Sequence, residues 1–288
     1  MGAKIHDAQG GFIYCEADGL RGCDIQLDYP SVGATENIML ASVFAEGETC
    51  IHNAAKEPEI TDLQNFLIGL GINICGAGTS VIRITGSRSA LRSIEYCVMP
   101  DRIVAGTYMI ASGITGGEII LKNIIPEHLN SIICNLRDCG CRINVRGNTI
   151  GVFGPVRPKA LDIIRTLPYP GFPTDMQAQM FAILTIARGT SIIVETVFEN
   201  RYKHVDELLR MGANIKVEGR LAVVKGVRKL VGANVSARDL RGGAALVLAG
   251  LAAEGDTVIT GIKHIDRGYE NIEKKLSQVG AIIKRIED

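Results

Sequence analysis

Glycine recurs along this chain in two interleaved series, and their intervals decide what the chain can build. The first series is Gly47 (AEGETCIH), Gly117 (TGGEIILK), Gly189 (ARGTSIIV) and Gly255 (AEGDTVIT), spaced by 70, 72 and 66 residues. The second is Gly71 (LGINI), Gly140 (CGCRI), Gly212 (MGANI) and Gly280 (VGAII), spaced by 69, 72 and 68. Within each copy the two glycines lie 23 to 25 residues apart. Near-equal intervals in two independent series identify a repeated structural unit of about seventy residues.

Each copy reads helix, strand, helix, strand, strand. The first helices, at residues 37–44 and 244–252 for example, are dominated by small and apolar residues. Few polar positions interrupt them, which predicts burial on nearly all sides. The second helices are amphipathic: Ile60, Leu63, Phe66, Leu67 and Leu70 recur at helical spacing. Each glycine of the second series falls where a helix C-cap needs a left-handed residue, before a β-branched run. The opening residues MGAKI match MGANI and VGAII, and Gly2 lies 69 residues before Gly71. A repeat chain is expected to begin with a whole unit or a polar cap. The start therefore predicts the C-terminal portion of a longer protein. A Pro stop at Pro100, after Met99, predicts two domains. Residues 1–98 would hold the tail of one repeat plus one full copy, and 99–288 three copies.

Composition narrows the class. Lys+Arg 31 against Asp+Glu 31 gives a formal net charge of zero, with no basic block, which argues against nucleic acid or an anionic membrane as partner. The longest apolar stretch, residues 244–253, is interrupted by Gly250 and too short to cross a bilayer. With no cationic start followed by an apolar run, and eight cysteines too sparse for a disulfide scaffold, a soluble cytoplasmic protein is expected. No cofactor is expected either. Cys134, Cys139 and Cys141 lack paired zinc spacing, and Gly69 and Gly71 lack the preceding strand of a dinucleotide loop.

Charged residues recur near the starts of copies. Arg201 follows a β-type run in VFENRY, Arg241 opens a helix in DLRGG, and Arg267 precedes one in HIDRGYE. Guanidinium beside free helix-start N–H groups suits phosphate or carboxylate. The alternative is a surface salt bridge for each, since Asp239 and Asp266 stand beside Arg241 and Arg267. Asp175, in FPTD before the apolar residues 176–186, is placed to cap that helix or to accept a proton from a bound hydroxyl. Ser31, Val32, Gly33, Ala34 and Thr35 open another helix with small residues, and Glu57-Pro58-Glu59 is a helix-start acid pair. His204 and His264 draw notice through their closeness to Arg201 and Arg267. Spacing alone indicates an anionic-ligand site where copies meet.

The stretches LDYPSVGATENIM, NAAKEPEI, PDRIVAGT, PGFPTDMQAQ, ETVFENRYKHVDEL, DLRGGAALVLAG and HIDRGYENIEKKL occur in that order. In them the whole chain resembles the UDP-N-acetylglucosamine enolpyruvyl transferases (UDP-N-acetylglucosamine 1-carboxyvinyltransferases). The enolpyruvylshikimate-phosphate synthases share the repeat plan but not FPTDMQAQ and ETVFENR together. The resemblance implies an α/β fold of two inside-out barrels, each of three repeated units, here one complete domain plus part of another. It implies transfer of the enolpyruvyl group of phosphoenolpyruvate to the 3-hydroxyl of UDP-N-acetylglucosamine, with release of phosphate, the first committed step of peptidoglycan synthesis. By this likeness Asp175 is the base at the sugar hydroxyl. Arg201 and Arg241 face the pyruvyl carboxylate, Arg267 the phosphate, and the Val197 backbone the UDP-sugar. Tyr29, Pro30, Ser31, Val32 and Gly33 match the loop at the nucleotide diphosphate, Tyr29 replacing a common Lys, and Glu57 and Asp101 border the cleft. The family's N-terminal Lys-Asn pair and its acid-bearing loop, usually with Cys, would precede Met1 by the repeat period, within about 130 residues. None of the eight cysteines stands in that loop's context. The chain by itself is therefore expected to be inactive, its N-terminal segment being an intramolecular partner. A non-catalytic nucleotide-sugar-binding module, or an enolpyruvylshikimate-phosphate synthase-like enzyme, is the alternative.

Overall fold

A computed structural model describes residues 1–7, 11–87 and 91–286. The chain divides into two compact units, Met1–Met99 and Pro100–Asp288.

The first unit opens with β1 (Lys4–Asp7) and β2 (Ile13–Glu16), an antiparallel pair with Ile5 and Tyr14 exposed. One repeat follows: β3 (Asp24–Gln26), α1 (Val32–Ser42), β4 (Glu48–His52), α2 (Pro58–Gly69), β5 (Asn73–Cys75) and β6 (Val81–Thr85). The strands form one sheet in the order β3-β4-β6-β5, parallel only between β3 and β4. Ser31 caps α1 through its Oγ, which accepts from the Ala34 N–H, and Pro58 starts α2 with its φ already helical. Period-two alternation buries Ile82 and Ile84 against Met39, Ile51, Ile60 and Leu67 while Arg83 and Thr85 face outward.

The second unit holds three copies. The first runs α3 (Arg102–Thr115), β7 (Glu118–Leu121), α4 (Asn130–Asp138), β8 (Arg142–Arg146) and β9 (Thr149–Phe153). The second runs β10 (Ile163–Arg165), α5 (Gln177–Thr185), β11 (Thr190–Val194), α6 (Val205–Arg210), β12 (Asn214–Glu218) and β13 (Leu221–Lys225). The third runs β14 (Leu230–Val231), β15 (Asn234–Ser236), α7 (Leu240–Ala252), β16 (Ala253–Glu254), β17 (Val258–Thr260) and α8 (Ile272–Gln278). Strand order β10-β11-β13-β12 repeats that of the first unit's sheet. Helices α3, α5 and α7 pack on one another, and all nine residues of α5 are buried. Small residues allow this approach: a Cβ on Gly113 of α3 would lie 2.9 Å from Ile183 Cδ1 of α5. The helices are thus the interior and the sheets the wall.

The structure differs from the expected repeat at four places. Short leading strands, β3, β10 and β15, precede the first helices and pair in parallel with β4, β11 and β17 beyond those helices. At three residues each they are too short to show periodicity. The left-handed glycine ending α3 is Gly116 (φ +70°) rather than Gly117, whereas Gly47, Gly189 and Gly255 are themselves left-handed. Helix α1 buries only Thr35, Met39 and Ser42. It packs against α2, β4 and β6 and lacks the mutual burial that α3, α5 and α7 give one another. After Gly280, residues 281–286 form no strand, with Ile282 fully exposed. The second glycine series behaves as expected, at φ +97°, +97°, +86° and +99° for Gly71, Gly140, Gly212 and Gly280.

Candidate functional site

In the second unit the segment before α5 turns through the 3₁₀ turn Thr174–Met176, so Met176, not Asp175, occupies the cap position of α5. Asp175 does not cap the helix. Its carboxylate instead meets two guanidinium groups. Arg201, in the loop after β11, donates from Nη2 to Oδ1 at 2.5 Å, and from Nη1 to Thr174 Oγ1 at 2.7 Å. Arg241, in the first turn of α7, donates to Oδ2 from Nε at 3.2 Å and from Nη2 at 3.0 Å. Arg241 Nη1 donates to the Tyr269 hydroxyl at 3.2 Å. That hydroxyl is buried with Thr107 Oγ1 (2.9 Å) and Gln179 Nε2 (3.1 Å), which locks the arginine's far side to α3 and α5.

Neither salt bridge suggested by sequence neighbours forms. Asp239 caps α7, Oδ1 accepting from the Gly242 N–H at 2.7 Å, because the helix start lies between it and Arg241. Asp266 accepts both ends of the Arg285 guanidinium, at 3.0 and 2.6 Å. Arg267 is exposed and makes no hydrogen bond or ion pair among the described residues. It is not bonded to the Asp175 cluster.

Electrostatics follow from this geometry. Burial alone would raise the Asp175 carboxyl, but Arg241 and Arg201 outweigh it and hold the group below the usual carboxylate range. The carboxylate side chain is 40% exposed, against 19% for Arg201 and 14% for Arg241. Burial works against the Arg241 cation, and Tyr269 and Asp175 reverse it, pushing the group upward.

The support beneath the cluster is Glu195, which sequence reasoning missed although it opens the ETVFENR stretch. Its side chain is buried, accepting from Thr166 Oγ1 (2.8 Å), Thr174 Oγ1 (2.9 Å), Val197 N (2.9 Å) and Phe198 N (3.1 Å). One carboxylate thereby fixes Thr174, which holds Arg201, and the Val197–Phe198 turn, whose Phe198 ring lies 4.6 Å from the Arg201 guanidinium carbon. A signal was present: an acidic residue directly after a β-run, where N–H groups leave the ladder unpaired. His204 is buried edge-on to Phe181, its pKa lowered by burial to about 4. His264 lies in the 3₁₀ turn Ile262–His264 and joins none of these bonds.

Asp101 caps α3 through Oδ1, which accepts from the Ile103 and Val104 N–H groups at 2.8 and 2.9 Å. In the first unit, Tyr29, Pro30, Ser31, Val32 and Gly33 form the bend from β3 into α1. Tyr29 is half-exposed there, and open space surrounds the position where Gly33 lacks a Cβ. Glu57 is half-buried at the start of α2. Cys139 and Cys141 are buried thiols, raised by that burial to about 12 and about 11, while Cys134 is exposed. No helix among the described residues is long and apolar enough to cross a membrane.

The fold of this chain is shared with known proteins. The profile of the EPSP synthase (3-phosphoshikimate 1-carboxyvinyltransferase) family matches residues 1–276. The crystal structure of the enolpyruvyl transferase NikO from Streptomyces tendae superposes with a TM-score of 0.87 at 25% identity, covering 98% of this chain and 69% of that one. An EPSP synthase from Acinetobacter baumannii, 20% identical, shares the fold with a TM-score of 0.71 over 99% of this chain and 69% of its own. Fold and sequence together define an enzyme of the enolpyruvyl transferase class. The UDP-N-acetylglucosamine 1-carboxyvinyltransferase 2 of Caldanaerobacter subterraneus subsp. tengcongensis is 55% identical over 286 residues, 99% of this chain and 68% of its own length. UDP-N-acetylglucosamine 1-carboxyvinyltransferase 1 of Carboxydothermus hydrogenoformans is 54% identical, with 99% and 67% covered. The chain belongs to the UDP-N-acetylglucosamine 1-carboxyvinyltransferase family.

Proposed function

We propose that the chain serves transfer of the enolpyruvyl group of phosphoenolpyruvate to the 3-hydroxyl of UDP-N-acetylglucosamine, with release of phosphate, the first committed step of peptidoglycan synthesis. The observation that carries this is one carboxylate, Asp175, gripped by two guanidinium groups. A pair of arginines that holds an internal carboxylate is equally a seat for the pyruvyl carboxylate of the substrate. When that carboxylate takes Arg201 and Arg241, Asp175 loses the two cations that depress its pKa. Its basicity rises toward the ordinary carboxylate value, and it accepts the proton of the sugar hydroxyl. The hydroxyl oxygen bonds to C2 while an acid protonates the C3 methylene, giving a tetrahedral ketal. Loss of a C3 proton and cleavage of the C2–O bond to phosphate then restore the double bond. Exposed Arg267 suits the departing phosphate.

The Val197 N–H already serves Glu195, so its contact with the UDP-sugar runs through the carbonyl oxygen. Tyr29, Pro30, Ser31, Val32 and Gly33 take the nucleotide diphosphate, where Tyr29 offers a hydroxyl in place of a charge. The thiols Cys139 and Cys141, buried and raised in pKa, do not suit the acid's role. The acid is assigned to protein outside the groups described, and the chain by itself releases no phosphate. The matched relatives are longer, the chain spanning 67–68% of their length.

Calorimetric titration of the chain tests this assignment. Saturable heats are expected for UDP-N-acetylglucosamine and for phosphoenolpyruvate, with none for shikimate 3-phosphate. Preference for the shikimate compound would overturn the assigned acceptor. Steady phosphate release by the chain alone would overturn the assignment of the acid.

A further inference from the structure

In the first unit, three metal-ligating atoms converge on the outer face of a sheet. Parallel pairing of β3 with β4 sets Asp24 opposite Cys50. Period-two alternation then puts His52 on the same face of β4 as Cys50, while Ile51 between them points into the core. His52 Nε2 lies 3.6 Å from Asp24 Oδ1. A carboxylate oxygen of Asp24, the sulfur of Cys50 and a ring nitrogen of His52 all lie within 4.8 Å of one another. The nearest cation, Arg83 opposite Cys50 on β6, is engaged by Glu48, its Nη1 donating at 3.1 Å.

We infer that Asp24, Cys50 and His52 form a site for a borderline-soft divalent metal ion, with Zn²⁺ the best fit. One thiolate, one imidazole and one carboxylate are the donor types of zinc, whereas Mg²⁺ and Ca²⁺ require oxygen throughout. Bonds of about 2.0–2.3 Å require the donors to draw somewhat closer together, and Asp24, with 81% of its side chain exposed, is free to swing inward. The ion displaces the thiol proton, which passes to solvent, and a water fills the fourth position. Such a site would fasten the edge strand β3, only three residues long, to the centre of its sheet. A bare Asp24–His52 ion pair is the competing account, and it needs no thiolate.

Cobalt(II) added to the reduced full chain distinguishes the two. The site predicts a near-ultraviolet thiolate-to-cobalt charge-transfer band, with the visible bands of four-coordinate Co²⁺, both abolished by one equivalent of Zn²⁺. Cys50→Ser should remove the charge-transfer band and Cys134→Ser should leave it intact. Asp24→Asn and His52→Gln, at more exposed positions, should each weaken binding at least about tenfold. They keep the question open to refutation if Cys50→Ser fails to fold. Absence of a charge-transfer band, its survival in Cys50→Ser, or Co²⁺ affinity unchanged in Asp24→Asn would each overturn the assignment.

Discussion

Replacing Asp175 by Asn should make the chain bind phosphoenolpyruvate more tightly, although it deletes a site carboxylate. The substitution keeps the side chain's shape and removes its charge. In the resting site Asp175 takes one hydrogen bond from Arg201, at 2.5 Å, and two from Arg241, at 3.2 and 3.0 Å. Hydrogen bonds to a charged acceptor contribute about 1.5–3 kcal/mol, against about 0.5–1.5 for neutral pairs. Asn retains one acceptor oxygen but turns an amide toward the other guanidinium. Because the carboxylate is 40% exposed, solvent screening trims the difference to the lower end, about 1–2 kcal/mol of lost internal grip. An incoming carboxylate no longer has to displace that grip, so its affinity should rise roughly 5–30-fold. Isothermal titration of wild type and Asp175→Asn with phosphoenolpyruvate alone measures this. Equal or weaker binding by the variant would show that Asp175 does not compete for the arginines.

Three further outcomes follow from the same geometry. Glu195→Ala leaves two backbone N–H groups and two hydroxyls without their buried acceptor and should cost about 3–5 kcal/mol in urea unfolding. Glu195→Gln keeps one acceptor and should cost about 1–2 kcal/mol. His204, at about 4 in the fold against an ordinary 6.5, is neutral in the native state and takes a proton on unfolding. Its contribution is complete above pH 6.5 and is lost as pH falls toward 4, at up to about 1.4 kcal/mol per pH unit. Asp175, depressed by its arginines, loses its contribution in the same direction at lower pH, so His204→Gln should flatten only the upper part of the acid-unfolding curve. Arg241→Ala removes the cation fastened to Tyr269 and should weaken phosphoenolpyruvate binding at least about tenfold, read by the same calorimetry.

Much of the architecture was legible because the repeat is written in residues whose backbone needs are specific. Gly71, Gly140, Gly212 and Gly280 mark helix ends that only a left-handed residue completes. The burial of α3, α5 and α7 was legible in their many small and apolar positions, whereas α1, which also carries Glu36 and Asn37, buries only Thr35, Met39 and Ser42. Three-residue strands such as β10 carry no period and stayed hidden. Residue types and spacing pointed to Asp175, Arg201 and Arg241 as candidates but not to their mutual bonding. Adjacency favoured Asp239 and Asp266 as partners, while helix capping and Arg285 claim those carboxylates in the fold. Glu195 lay in plain sight, but its four partners come from three separate segments.

In the proposed reaction the substrate carboxylate replaces Asp175 between Arg201 and Arg241. Arginine Nε–H resonances, followed by ¹⁵N NMR during titration with phosphoenolpyruvate, address it directly. The signals of Arg201 and Arg241 should move together along one saturating curve and match the calorimetric affinity. Saturation of the protein with both signals unmoved would contradict the account.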